Sequence, residues 1–323
     1  MLTILWFITV AFLITVAIAV GLILSEWPRP FKGSGGLSFR DLLGRVRVDM
    51  PMPDPVPMRD GYELLVRDYG ATQGPLIIFV HGSGWNGMQF DQLASGLSDQ
   101  GRVLVPDLRG HGANPGLRGD IPHIGQLEED LSDLIAAYRE DGQKVVVIGH
   151  SSGGGLVVRF AGGKYGAQMD AAVLLAPFLK HNAPTTRDNS GGWAQPLTRR
   201  LIGLSMLNAL RIQGLNRLKV ITFNFPPEVL EGPYGDLATT AYSYRLNTSY
   251  APRSKYLADV AALPPFLLIA GRDDEAFVAD GYAPLMSGAT GKGSYLVVPD
   301  QSHLGIVDAP QTEAAIMEFL NGV

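Results

Sequence analysis

The stretch Gly149-His150-Ser151-Ser152-Gly153 follows an apolar, β-branched run at 144–148 and precedes a helical segment of small residues. A serine on a sharp turn between strand and helix projects its Oγ off the end of a sheet. The glycines two before and two after it let neighbouring backbone pass without Cβ clashes. In a chain with 39 glycines among 323 residues the five letters alone carry little. The strand before and the helix after are what make them a nucleophile elbow, and an elbow requires a sheet with helices packed on it.

The rest of the chain supplies that sheet. From residue 61 short apolar runs alternate with helical patterns, as in a parallel sheet buried on both faces. Strands are expected at 62–67, 76–80, 103–106, 145–148, 171–175, 266–270 and 295–298, and helices at 91–98, 127–139 and 312–320. In the second helix Leu127, Leu131, Leu134, Ile135 and Tyr138 recur at helical intervals. Residues 178–257 break the alternation with Gly191-Gly192-Trp193, a helical stretch at 197–210, the turn-like Phe225-Pro226-Pro227 and a tyrosine cluster, Tyr242, Tyr244, Tyr250 and Tyr256. An insertion this apolar between two core strands must cover something, and it reads as a lid over the active-site edge of the sheet.

Ahead of the domain, residues 2–24 contain no charged side chain. About 20 apolar residues in a helix, at ~1.5 Å each, cross the ~30 Å hydrocarbon core of a bilayer. The segment is therefore expected to be a single membrane-spanning anchor, with Trp6 and Trp27 at the two interfaces. A cleaved leader is the alternative, since Ala17-Ile18-Ala19 offers a small-x-small site, but the apolar run continues past it to Leu24. Arg29, Lys32, Arg40, Arg45 and Arg47 follow the span, which by the positive-inside rule places the domain on the cytoplasmic side. Residues 25–57 hold Pro28, Pro30, Gly33, Gly35, Gly36, Pro51, Pro53, Pro55 and Pro57, a density expected to exclude regular elements and to make a linker. One short amphipathic candidate, 39–46, is expected on the membrane surface or on the domain. The expected division is thus an anchor at 1–24, a linker at 25–57, a core at 58–177 and 258–323, and the insertion at 178–257.

Composition removes several functions. A net charge of −5 gives no electrostatic reason to expect nucleic acid. The absence of cysteine excludes disulfides, thiolate catalysis and cysteine-based zinc sites.

A serine hydroxyl needs a base to take its proton and a third group to hold that base in one tautomer. Of the histidines His81, His111, His123, His150, His181 and His303, the last fits best, because it follows a late strand after a short loop and functional groups sit beyond the carboxyl ends of parallel strands. The strand at 266–270 ends in Gly271-Arg272-Asp273-Asp274-Glu275, three acids where one is needed. Asp274 is favoured and Asp273 stays open, since a one-residue shift in the turn swaps which side chain points inward. The charged tetrahedral intermediate needs preorganised N–H donors. The glycine-rich turn His81-Gly82-Ser83-Gly84-Trp85 offers the amide of Ser83, and Ser152 offers the one directly after the nucleophile.

Taken together, His81-Gly82, Asp107-Leu108-Arg109-Gly110-His111-Gly112, the elbow, the Gly-Arg-Asp-Asp turn and Ser302-His303 occur in an order that resembles the serine α/β-hydrolases over residues 57–323. Within that superfamily the chain is similar to the branch of monoacylglycerol lipases, lysophospholipases and serine aminopeptidases. The resemblance implies an α/β-hydrolase fold, with a mostly parallel central sheet, helices on both faces and an inserted lid, here preceded by one transmembrane helix. It implies Ser151 as nucleophile, His303 as base, Asp274 as acid (third after Gly271) and Ser83 with Ser152 as oxyanion donors. It gives the Arg-Gly-His-Gly turn a structural role, which leaves His111 out of catalysis. A serine nucleophile disfavours the related dehalogenases and epoxide hydrolases. The expected activity is hydrolysis of carboxylic esters, of lipids or lipid-like molecules, through an acyl-enzyme without metal or organic cofactor. Peptide or amide cleavage, acyl transfer and non-catalytic binding are the competing readings, and oligomeric state is not indicated.

Overall fold

The computed structural model describes residues 1–31, 36–40, 50–70 and 73–323. Among them the main sheet has eight strands in the order β1-β2-β4-β3-β5-β6-β10-β11. These are β1 (Asp54–Pro57), β2 (Glu63–Asp68), β3 (Leu76–Val80), β4 (Arg102–Pro106), β5 (Val145–His150), β6 (Ala171–Leu175), β10 (Phe266–Gly271) and β11 (Gly293–Val298). All neighbours from β4 to β11 pair in parallel, and β1 and β2 pair antiparallel at one edge.

Strand β3 shows why this sheet is buried on both faces. Every residue in it is buried, with Leu76, Ile78 and Val80 in one core and Ile77 and Phe79 in the other. The first core packs on helices Gln126–Tyr138, Ser152–Ala161 and Tyr256–Ala262 through Leu131, Leu134, Leu156 and Val260. The second packs on Asp91–Gly96 and Pro310–Leu320 through Leu93, Ile316 and Leu320. Chain order reverses between β3 and β5, the point at which such sheets open a crevice beyond their carboxyl ends.

The expected core strands and helices stand within a few residues of their reading. The stretch at 25–57 departs from it, because its prolines do not exclude a strand: Asp54–Pro57 pairs with β2 as the sheet edge. An edge strand leaves one row of N–H groups unpaired, so Pro55 and Pro57 cost nothing on the open side. The amphipathic candidate at 39–46 lies outside the described residues from 41 onward. Phe39 itself is buried on the domain.

Between β6 and β10 a second, antiparallel sheet forms from β7 (Ala194–Pro196), β8 (Lys219–Phe223) and β9 (Ala241–Ser243). Helix Thr198–Ala209 from the same insertion lies along the N-terminal helix Leu2–Leu24. Ala19 and Ile23 of the latter share a small core with Leu204, Leu207, Val220 and Tyr244. The helices approach so closely at Gly203 that a Cβ there would stand 2.5 Å from the Ala19 carbonyl oxygen. At the helix end Glu26 accepts from the amides of Arg199 and Arg200 at 2.7 and 3.2 Å, and the Arg200 guanidinium lies 5.1 Å from the Trp27 ring. The N-terminal helix is long and apolar enough to cross a membrane, and its first half is exposed.

Candidate active site

Ser151 stands between β5 and helix Ser152–Ala161 at φ 55° and ψ −122°, a conformation an L-residue adopts only under constraint. The constraint is visible around it. Its N–H donates to the Leu175 carbonyl at 2.9 Å, and its own carbonyl accepts from Gly155 and Phe178 at 3.1 and 2.9 Å. A Cβ at Gly153 would lie 2.0 Å from the Val80 carbonyl, and one at Gly149 would lie 2.6 Å from that of Gly153. The two glycines are therefore required by close backbone approach.

Beyond β11 the His303 imidazole is buried and its Nδ1–H donates to Asp274 Oδ2 at 2.8 Å. That bond places the acceptor lone pair on Nε2. The other oxygen, Asp274 Oδ1, accepts from the amides of Ala276 and Phe277 at 2.7 and 2.8 Å. Asp273 lies exposed, so of the two acids left open by spacing it is Asp274 that meets the imidazole. Ser151 and His303 line one cavity of about 210 Å³ at the sheet edge. Ser83, Ser151 and Ser152 line a second, of about 70 Å³, beneath the insertion.

The two candidate oxyanion amides are those of Ser152 and Ser83. Ser152 opens helix Ser152–Ala161, whose first N–H groups have no intrahelical acceptor. In the turn after β3, Gly82 donates to Gln89 Oε1 at 3.1 Å and Gly84 to the Tyr242 hydroxyl at 2.6 Å. Among the described residues the Ser83 amide between them donates to no protein acceptor.

Three buried histidines brace this arrangement. His150, the residue before Ser151, accepts at Nδ1 from the Gln89 amide (3.0 Å) and donates from Nε2 to the His303 carbonyl (2.9 Å). Gln89 and His150 thus link the turn after β3, the elbow and the loop that carries His303. The His111 Nδ1–H donates to the Arg109 carbonyl at 3.2 Å, which leaves Nε2 to accept from the Tyr242 hydroxyl, 2.5 Å away; the same hydroxyl accepts from Gly84 and so ties the Arg-Gly-His-Gly turn to the turn after β3. His81 Nε2 accepts the Leu108 amide at 3.0 Å. Burial lowers the His81 pKa to about 4. It pushes His111 and His150 well below their usual range too, each helped by a neighbouring imidazole, His81 and His303 respectively. All three are neutral, as their accepting nitrogens demand.

Two groups had no functional reading in the sequence. Glu275, the third acid of the turn, accepts the His303 amide on Oε2 (2.9 Å) and the Ser38 amide on Oε1 (3.0 Å). Leu37 and Phe39, from the stretch expected to be a spacer, line the larger cavity. The amphipathic pattern that begins at Phe39 points to a surface against which the segment packs, but not to which one.

The chain belongs to the alpha/beta hydrolase family, whose pattern matches residues 77–316. Among curated relatives, the magnesium-chelatase 30 kDa subunit of Rhodobacter capsulatus is 35% identical over 96 residues, 30% of this chain and 33% of that protein. The chain thus spans about a third of the length of that relative. Of solved structures, a soluble variant of monoglyceride lipase from Saccharomyces cerevisiae superposes with a TM-score of 0.66 at 15% identity, over 86% of this chain and 96% of that one. A membrane phospholipase A described as a bacterial virulence factor superposes with a TM-score of 0.55 at 16% identity, over 99% and 96%. At such identities the superpositions establish the fold.

Proposed function

We propose that the protein is a serine hydrolase of carboxylic esters, acting on acyl esters of lipids or lipid-like molecules from a membrane anchor. The observation that carries the reading is the 2.8 Å bond between His303 Nδ1 and Asp274, set beside Ser151 in its strained turn. His303 Nε2 takes the proton of Ser151 as Oγ bonds to the ester carbonyl carbon. The amides of Ser83 and Ser152 hold the oxyanion, and the imidazolium returns the proton to the leaving alcohol as the carbon–oxygen bond breaks. Water activated by the same imidazole then releases the acid. No step draws on a metal or organic cofactor. The insertion at 178–257 serves as the lid, and helix Leu2–Leu24 as the anchor, with the domain on the cytoplasmic side.

A fluorophosphonate probe should label the wild-type protein and leave Ser151→Ala unlabelled; equal labelling of both ends the reading. A panel of p-nitrophenyl esters then measures the acyl preference. A lipid-extract comparison of wild type and Ser151→Ala identifies the ester class that accumulates or disappears.

A further inference from the structure

The two cavities meet at Ser151 and differ in what else they touch. Ser83 and Trp193 line both; the larger is lined besides by His303, Gln301 and Phe225, whereas the smaller, lined by Ser152, Phe178, Phe223, Tyr242 and Phe277, lacks the imidazole. The leaving oxygen must receive a proton from His303, so the alcohol half of an ester lies on the imidazole side. The carbonyl oxygen lies toward the amides of Ser83 and Ser152, with the acyl half under the insertion.

We propose that the segment at 36–39 is part of the substrate site, with Leu37 and Phe39 forming the wall against which the leaving alcohol packs. Both are buried and line the larger cavity. The Phe39 ring centroid stands 5.7 Å from that of Trp193 and 5.6 Å from that of Phe225, so one aromatic surface runs from the segment into the insertion. The Ser38 amide between the two side chains is fixed at 3.0 Å by Glu275 Oε1, whose other oxygen holds the His303 amide. The wall and the catalytic histidine are thereby held by one carboxylate. The chemistry this wall fits is an alcohol with an apolar body, since an aromatic and a branched aliphatic side chain gain contact area from a ring or chain and none from a methyl group.

The inference rests on the ester-hydrolase reading and fails separately from it. Two ratios of kcat/KM are measured on the full chain: 2-naphthyl to methyl butyrate, which varies the alcohol, and p-nitrophenyl octanoate to acetate, which varies the acid. In Phe39→Ala and Leu37→Ala the alcohol ratio should fall about fivefold or more while the acyl ratio stays within about twofold of wild type. Phe39→Leu, which keeps an apolar side chain, should lose less and carries the comparison if Phe39→Ala does not fold. An unchanged alcohol ratio, or an acyl ratio that moves equally, overturns the subsite. If wild type takes the fluorophosphonate and hydrolyses esters under that result, the subsite alone is rejected; an unlabelled wild type rejects the reading beneath it.

Discussion

At Asp274 both carboxylate oxygens are committed, one to the imidazole and one to two amides, while its neighbour Asp273 is exposed. Asp274→Asn should therefore lower kcat on the order of 10⁴-fold with the fold intact, because the amide no longer selects the tautomer with its lone pair on Nε2. Asp273→Asn should stay within about twofold, as expected of an exposed side chain. The residue types were legible in the chain, but the choice between two adjacent acids was not. It depends on how the turn closes, through Arg272 N–H to Val298 and Asp273 N–H to Gln301, partners 26 and 28 residues away by numbering. Gly153 makes the opposite case, since the motif itself demands it. With a carbonyl 2.0 Å from where a Cβ would stand, Gly153→Ala should destabilise the protein by roughly 3 kcal/mol or more, measured by chemical denaturation.

Elements differ in how much of themselves the sequence reveals. The parallel strands are short runs that are apolar on both faces, and their pattern locates them. Strands β7 to β9 are three to five residues long and pair only with each other, so no periodicity distinguishes them from loop. The buried histidines join these elements, and they make the joint sensitive to acid. Each is neutral in the fold with its pKa depressed, whereas in the unfolded chain it protonates near the ordinary value of about 6.5. Their contribution is fully present above that pH and is lost as pH falls below about 6.5, for His81 down to about 4. Thermal denaturation in that window should show Tm dropping with pH, and Ser151→Ala should show the same slope, since the serine does not titrate there. Tyr242→Phe removes the hydroxyl between Gly84 and His111 and leaves both without their partner. It should cost about 1–3 kcal/mol of stability. It should also lower kcat more than it raises KM, because the Ser83 amide next to Gly84 loses its brace.

On the scale of the whole molecule, the N-terminal helix is packed along helix Thr198–Ala209 instead of hanging free. Gly203→Leu forces the pair apart at its tightest point and should lower Tm in detergent and speed proteolysis between β7 and β9. From sequence the anchor, the linker and the insertion read as three independent pieces, because nothing in a linear pattern says that a glycine at 203 faces an alanine at 19. One practical outcome follows from the position of Leu37 and Phe39 ahead of the first strand. A shortened version started at residue 50 to gain solubility would lose the Ser38 amide that Glu275 accepts and two apolar side chains from the cavity lined by Ser151 and His303, so rates measured on it would describe a cavity of different shape.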